Sequence, residues 1–124
     1  MSKMSFKKGD NIIHSRDIIA RIEELENLKD DAEANEEDLD ELEELLALAE
    51  EGSAASSDWR YGEPLIADHY FERYARELAE DIGAIDRNAT WPNNCIDWEH
   101  AARELQHDYS SIGFGAEEYW IRST

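Results

Sequence analysis

The stretch 35-NEEDLDELEELLALAEEG-52 decides the fold that the sequence predicts for the N-terminal half. Asn35 is a typical helix N-cap, Asp38 stands where a capping-box acid stands, and Gly52 is a typical helix end. The apolar residues that recur between them at spacings of three and four, on one predicted helix face, are Leu39, Leu42, Leu46 and Ala49. The stretch therefore predicts an amphipathic α-helix that buries this face.

A second amphipathic pattern precedes this stretch. Ser15 is a candidate N-cap with Asp17 in the first turn, and the apolar residues that follow at helical spacings are Ile18, Ile22, Leu25 and Leu28. Two helices joined by a short polar turn predict an αα-hairpin over residues 15–52. Residues 1–14 contain three lysines and no helical period, so we expect a loose arm that ends in an apolar hook at Ile12 and Ile13.

The second half of the chain is rich in aromatic residues. After a small polar linker from Gly52 to Asp58, a third helix is expected to start near Pro64 and to stop at Gly83. Its predicted apolar face is Ile66, Tyr70, Tyr74, Leu78 and Ile82. Asp97 is expected to cap a fourth helix that runs to about His107. The run 110-SSIGFGAEEYWIR-122 predicts a terminal hairpin or a single edge strand.

These patterns together predict a mainly α protein. It would comprise an arm (1–14), an acidic helical hairpin (15–52) and a small aromatic-rich α+β domain (53–124) with two helices and a short C-terminal hairpin or strand. Most aromatic rings are expected in the core, because the second half has few long aliphatic residues. Trp59 and Trp91 fall in predicted loops, and we expect them to be exposed or at an interface.

The charge of the chain is extreme. Twelve Lys and Arg stand against 31 Asp and Glu, which gives a net charge of −19. Binding to nucleic acid requires a basic surface that releases counterions, and the sequence offers none. Direct binding to nucleic acid is therefore excluded as a function.

The densest charge lies in the second predicted helix. A helix rises about 1.5 Å per residue, so Glu36 to Glu51 spans roughly 24 Å, with about one carboxylate every 2.7 Å. Duplex DNA carries about one negative charge per 1.7 Å of its axis. The acids expected on the outward side are Glu37, Asp40, Glu41, Glu44 and Glu51. We therefore consider them candidate phosphate-mimicking carboxylates.

A resemblance to a known family covers about half of the chain. Its segments are 70-YFERYARELAEDIGAI-85, 96-IDWEHAARELQHDYSS-111 and 117-EEYWIR-122. They resemble the C-terminal part of the ArdA-type antirestriction proteins of phages and mobile elements, which are longer and built of several acidic domains. The positions that carry the resemblance are Leu78, Ala79, Glu80 and Asp81, then Asp97, Trp98, Glu99, Ala102, Arg103, Glu104 and Leu105, then Asp108 and Tyr109, and finally Trp120, Ile121 and Arg122.

The resemblance implies a DNA mimic. Such a protein occupies the DNA-binding groove of a Type I restriction-modification enzyme, usually as a dimer; a CRISPR effector is the second candidate target. The candidate partner-binding acids of the second half are Glu72, Glu80, Asp81, Asp97, Glu99, Glu104 and Asp108. We expect Arg73, Arg76 and Arg103 to hold neighbouring acids in place, and the hairpin to extend the same negative ribbon.

No catalytic motif is present, and no catalytic residue, cofactor or metal is predicted. Glu104 and His107 have a metal-ligand spacing with His100 one turn away, but a second such motif is missing, so a surface or packing role is favoured. The single Cys95 precludes an internal disulfide, which favours a cytoplasmic setting in the bacterial host, and we expect it to be a small buried residue. No apolar run predicts a membrane span. The alternative function is a non-catalytic helical interaction or dimerisation module.

Overall fold

A four-stranded antiparallel sheet lies between two pairs of helices. The computed structural model describes residues 6–86, 88 and 90–123, so residues 1–5 of the predicted arm lie outside the described part. In chain order the elements are β1 (Ile12–His14), α1 (Ser15–Asp30), α2 (Glu36–Ala55), β2 (Pro64–Ala67), α3 (Asp68–Asp81), a 3₁₀ turn (Asn93–Cys95), α4 (Trp98–Gln106), β3 (Tyr109–Phe114) and β4 (Glu117–Arg122).

The strands are ordered β1-β2-β4-β3, and every neighbouring pair is antiparallel. Ile12 pairs with Ile66 and Leu65 pairs with Ile121, so β1 and β2 are neighbours although α1 and α2 separate them in sequence. β3 and β4 form a C-terminal hairpin, which is one of the two alternatives that the sequence left open. Gly115 occupies its turn at φ +65°, a conformation that favours glycine.

The two faces of the sheet bury different side chains. Successive residues of a strand point to opposite faces, so Leu65 and Ile121 pack in one core with α1 and α2. Ile66 and Trp120 pack in another core with Phe71 of α3 and with α4. Each helix pair therefore forms one layer of a three-layer sandwich with the sheet in the middle.

The predicted fold class is wrong, because the chain is an α+β sandwich and the helical hairpin is one layer of it. Ile12 and Ile13, expected in a loose arm, form β1, and Pro64, expected to open a helix, begins β2. Both strands are short and covered on both faces, so they are apolar runs without the alternation that identifies a strand. The predicted apolar face of the third helix started at Ile66, but the helix itself begins only at Asp68.

The helix caps were predicted with mixed success. The capping box of Asn35 and Asp38 is confirmed, and so is the Asp97 cap, whose carboxylate accepts a hydrogen bond from the His100 N–H at 3.1 Å. Ser15 does not cap α1. It is buried as the first residue of the helix, where its hydroxyl donates to the Trp59 carbonyl at 2.7 Å and accepts from the Glu63 N–H at 2.7 Å. Ser15 thus ties α1 to the segment that leads into β2.

Gly52 lies inside α2, which continues to Ala55, so the predicted helix end is wrong. The ring of Trp59 packs directly against the Gly52 backbone, and Trp59 is 6% exposed, although we expected it at the surface. Glycine is required here because a side chain would occupy the space of the ring. Trp91, by contrast, is 74% exposed, as expected.

Candidate functional site

The outer surface of α2 is the most uniformly charged part of the described structure. The helix contains nine carboxylates and no base over its length. It is anchored by Leu42, Leu45 and Leu48, which are buried against α1 and the sheet. We define the acidic face of α2 as its exposed carboxylates: Glu36, Glu37, Asp40, Glu43, Glu50 and Glu51. These carboxylates stand on a helix whose position is fixed by packing.

This face differs from the one predicted, because α2 is rotated about its axis relative to the orientation that the sequence predicted. The prediction took Leu39 and Leu46 as buried, yet these are 41% and 44% exposed, and Leu45 and Leu48 are buried instead. The helix packs on the sheet as well as on α1. Because leucine occurs at nearly every third position, the helix can bury either Leu39 and Leu46 or Leu45 and Leu48. Glu36, Glu43 and Glu50, which the prediction missed, consequently lie on the outermost side at intervals of seven residues.

Glu41, one of the acids expected to face outward, is held between the helices. Its carboxylate accepts two hydrogen bonds from Arg21 of α1, from Nε at 2.6 Å and from Nη2 at 3.0 Å. Arg21 also lies 3.2 Å from Glu24, and the hydrogen bond to Glu41 is the largest of the effects that raise the pKa of its guanidinium. This half-buried bidentate pair joins α1 to α2 and removes Glu41 from the exposed set.

Glu44 is half-buried and pairs with the N-terminal segment. Lys8 Nζ lies 2.7 Å from the Glu44 carboxylate and 5.7 Å from the centre of the Phe114 ring of β3. Lys7 and Lys8 border a shallow cavity of about 480 Å³, whose acidic lining is Glu37, Asp40, Glu41 and Glu44. Two lysines therefore border the flank of α2 that carries Glu37 and Asp40, whereas Glu36, Glu43, Glu50 and Glu51 lie outside this cavity.

The candidate acids of the second half lie in the other helical layer. Glu72, Glu80 and Asp81 belong to α3, whereas Asp97 caps α4, Glu99 and Glu104 lie on it, and Asp108 follows it. Because α3 and α4 cover the opposite face of the sheet from α2, the two sets of acids do not meet. The expectation of one continuous negative ribbon is wrong.

At least three of the seven second-half acids have a basic neighbour one helical turn away. Glu80 lies 3.8 Å from Arg76, Glu99 pairs with Arg103, and Glu104 lies 3.7 Å from His100. A groove of about 530 Å³ between α3 and α4 mixes both signs of charge along Glu72, Arg73, Arg76, Glu77, Glu80 and Trp98. The expected role of the arginines in holding neighbouring acids agrees with these contacts. This layer presents paired charges, unlike the acidic face of α2.

A second cavity, of about 400 Å³, lies where α3 and α4 end. Its polar lining includes Glu63 and Arg122, together with Tyr74 and Tyr109, whose hydroxyls are 3.3 Å apart. Burial raises the pKa of the Glu63 carboxyl, the nearby charge of Asp58 raises it further, and Ser56 and Arg122 oppose the shift. Burial and the Tyr74 hydroxyl raise the pKa of the Tyr109 hydroxyl. No sequence pattern pointed to Glu63.

The described residues hold no group of three or more His, Cys, Asp or Glu side chains placed to bind a metal ion. Cys95, expected to be buried, is exposed because it lies in the surface 3₁₀ turn. Within residues 6–86, 88 and 90–123, each helix is too short or too polar to cross a bilayer. Comparisons with protein-family models, curated proteins and solved structures found no match. The resemblance to the ArdA-type proteins thus rests on the quoted segments alone and stays a prediction.

Proposed function

We propose that this protein is an acidic DNA mimic that inhibits a DNA-binding defence complex. It would occupy the DNA-binding groove of a host enzyme in the bacterial cytoplasm, a Type I restriction-modification enzyme first and a CRISPR effector second. It would carry out no reaction of its own and would come from a phage or other mobile element. The observation that carries the proposal is the acidic face of α2, whose exposed carboxylates have no base on their own helix.

The geometry of α2 supports this function. Its twenty residues span about 30 Å, which is nearly one turn of duplex DNA. Glu36, Glu43 and Glu50 recur about every 10 Å along it, with Asp40 between the first two. A solubilising surface would intersperse both signs of charge. A helix anchored by buried leucines loses little conformational freedom when its carboxylates meet lysines and arginines, so more of the contact energy is available for binding.

The mechanism predicts a characteristic salt dependence. Each carboxylate would contribute a weak, screened contact to a basic groove, so affinity should fall steeply between low and physiological ionic strength. No single acid should be indispensable. Mimicry also requires competition, because the inhibitor and duplex DNA would use the same basic residues of the target.

The deciding experiment titrates the protein into a Type I restriction-modification enzyme in the presence of labelled duplex DNA. The test variant carries Glu36→Gln, Glu37→Gln, Asp40→Asn and Glu43→Gln. Its matched control neutralises four acids of the other layer: Glu72→Gln, Glu99→Gln, Glu104→Gln and Asp108→Asn. Both variants reduce the net charge equally, so the comparison separates position from total charge.

We expect the native chain and the control variant to displace DNA and the α2 variant to lose at least about tenfold in affinity, the equivalent of 1.4 kcal/mol. Equal loss in both variants would make total charge, not the acidic face, the determinant. If the native chain displaces DNA from neither a Type I enzyme nor a CRISPR effector, the proposed function is refuted.

One observation favours the second candidate, a helical interaction module. Leu39 and Leu46 are half exposed and seven residues apart on α2, which is the spacing of a helix-packing seam. In that function the acids would serve solubility, and the four-acid α2 variant would bind the partner as well as the native chain does. The same titration therefore distinguishes the two functions.

A further inference from the structure

The exposed apolar residues of α2 run beside its acidic face. Leu39 is 41% exposed and Leu46 is 44% exposed, and Glu43 follows the first by four residues and precedes the second by three. Residues three and four apart are neighbours on a helix surface. The leucines thus form one row, the glutamates Glu36, Glu43 and Glu50 form the next, and the two rows are parallel along the helix.

The leucine row continues an apolar surface that begins in the core. Leu42 and Ala49 complete its spacing of three and four residues, and they are respectively buried and partly buried. We call the row Leu39, Leu42, Leu46 and Ala49 the seam. Leu42 and Ala49 pack in the core, whereas Leu39 and Leu46 are half exposed. The exposed halves of Leu39 and Leu46 leave apolar surface beside the acidic face that is available to a contact outside the chain.

The charge of α2 determines which partner fits this seam. A second copy of the chain would place nine carboxylates against nine others, which is repulsive. A helix with lysine or arginine beside its own apolar residues matches both rows at the same spacing. We infer that the target contacts α2 through a basic amphipathic helix, whose apolar residues pack on Leu39 and Leu46 while its bases pair with Glu36, Glu43 and Glu50.

The inference rests on the proposed function, because it names the element of the target that the acidic face meets. It adds a contact that phosphates cannot make. The carboxylate contacts weaken with salt, whereas the leucine contacts do not. The inhibitor would therefore retain part of its affinity at salt concentrations that release DNA from the same groove.

The test measures binding of the full chain to two synthetic peptides of identical composition. One is a lysine-rich helix with leucine at seven-residue intervals and basic residues beside it, and the other has the same residues scrambled. We expect the native chain to bind the amphipathic peptide about tenfold more tightly, because the two leucines bury their remaining apolar surface. The double variant Leu39→Gln, Leu46→Gln should lose this preference.

Ile82→Gln is the matched control, since Ile82 is 70% exposed at the end of α3 in the other layer. It should retain the tenfold preference. Equal binding of both peptides by the native chain, or an unchanged preference in the leucine double variant, overturns the inference. So does self-association that depends on Leu39 and Leu46, as sedimentation would report.

Failure of this inference is separable from failure of the proposed function. If the two peptides bind equally but the four-acid α2 variant still loses competition with DNA, the helix-docking inference is wrong and mimicry stands. If the native chain does not compete with DNA, the function is wrong whatever the peptides do. Thermal melts of every variant test whether the leucine and acid substitutions leave the fold intact.

Discussion

Replacing Gly52 by alanine should loosen the attachment of α2 to the rest of the protein. A Cβ at this position would lie 2.5 Å from Cε3 and 2.8 Å from Cη2 of the Trp59 ring, and closer still to Cζ3. The ring is 6% exposed and packs in the core formed by α1, α2 and the sheet. Neither the helix backbone nor the buried ring is free to move without disturbing that core.

Two opposing effects determine the size of the change. Alanine is favoured over glycine inside a helix by about 1 kcal/mol. Overpacking a filled core costs about 1–3 kcal/mol, and a close approach of three ring atoms to one methyl group belongs at the upper end of that range. We therefore expect the free energy of unfolding to fall by about 2 kcal/mol, which corresponds to a decrease in Tm of about 8 °C for a domain of this size.

Urea unfolding followed by far-UV circular dichroism measures the effect, and near-UV circular dichroism of the folded variant reports whether the Trp59 environment has changed. Ser53→Ala is the matched control, because Ser53 is the next residue of α2 and is exposed. This control should change stability by less than about 0.5 kcal/mol.

A double-mutant cycle provides the refutation. In a Trp59→Leu background the added methyl group has room, so Gly52→Ala should there stabilise the protein through helix propensity alone. Destabilisation by Gly52→Ala of equal size in both backgrounds would show that the contact with Trp59 is not the cause. Stabilisation in the native background would refute the close approach itself.

Three further outcomes follow from the charges. The coupling between Arg21→Met and Glu41→Gln in a double-mutant cycle should be about 1.5 kcal/mol by urea unfolding, since the pair is bidentate and largely shielded from solvent; additive effects would contradict it. Burial raises the pKa of Glu63, so the folded state holds its proton to higher pH than the unfolded state and the associated stability is lost as pH rises. Glu63→Gln should therefore be more stable than the native chain at pH 7, with a difference that shrinks by pH 4; a difference independent of pH would contradict this. Finally, the free energy of unfolding should increase by about 1 kcal/mol from low salt to 0.5 M NaCl, and by less in the four-acid α2 variant; an equal increase would place the repulsion elsewhere.

The helices were largely predictable from local pattern. The Asn35 and Asp38 cap and the Asp97 cap depend on residues close together in sequence, and both are confirmed. The C-terminal hairpin is one of the two alternatives that the local pattern left open. The fold class was not predictable in this way. β1 and β2 pair across the whole helical hairpin, and short strands covered on both faces carry no alternation to reveal them.

The candidate site was predictable in composition and less so in detail. The density of acids in α2 is visible in the sequence, but which of them face solvent depends on whether Leu45 or Leu46 is buried. Glu41 and Glu44 find their partners in Arg21 and Lys8, which are distant in sequence. Only the tertiary fold brings the members of such ion pairs together. These pairs separate the acids of α2 that have a basic partner from those that are exposed.

The pairing of Ile12 with Ile66 has a consequence for how the chain folds. Closing so long a loop costs conformational entropy, and that cost falls if α1 and α2 first form a hairpin that brings the ends of the two strands together. Formation of the α1–α2 hairpin shortens the loop, and the same step brings nine carboxylates together on one helix. The rate of refolding, measured by stopped-flow fluorescence, should accordingly rise with ionic strength, so that the surface proposed to bind the target also sets how fast the protein reaches its native state.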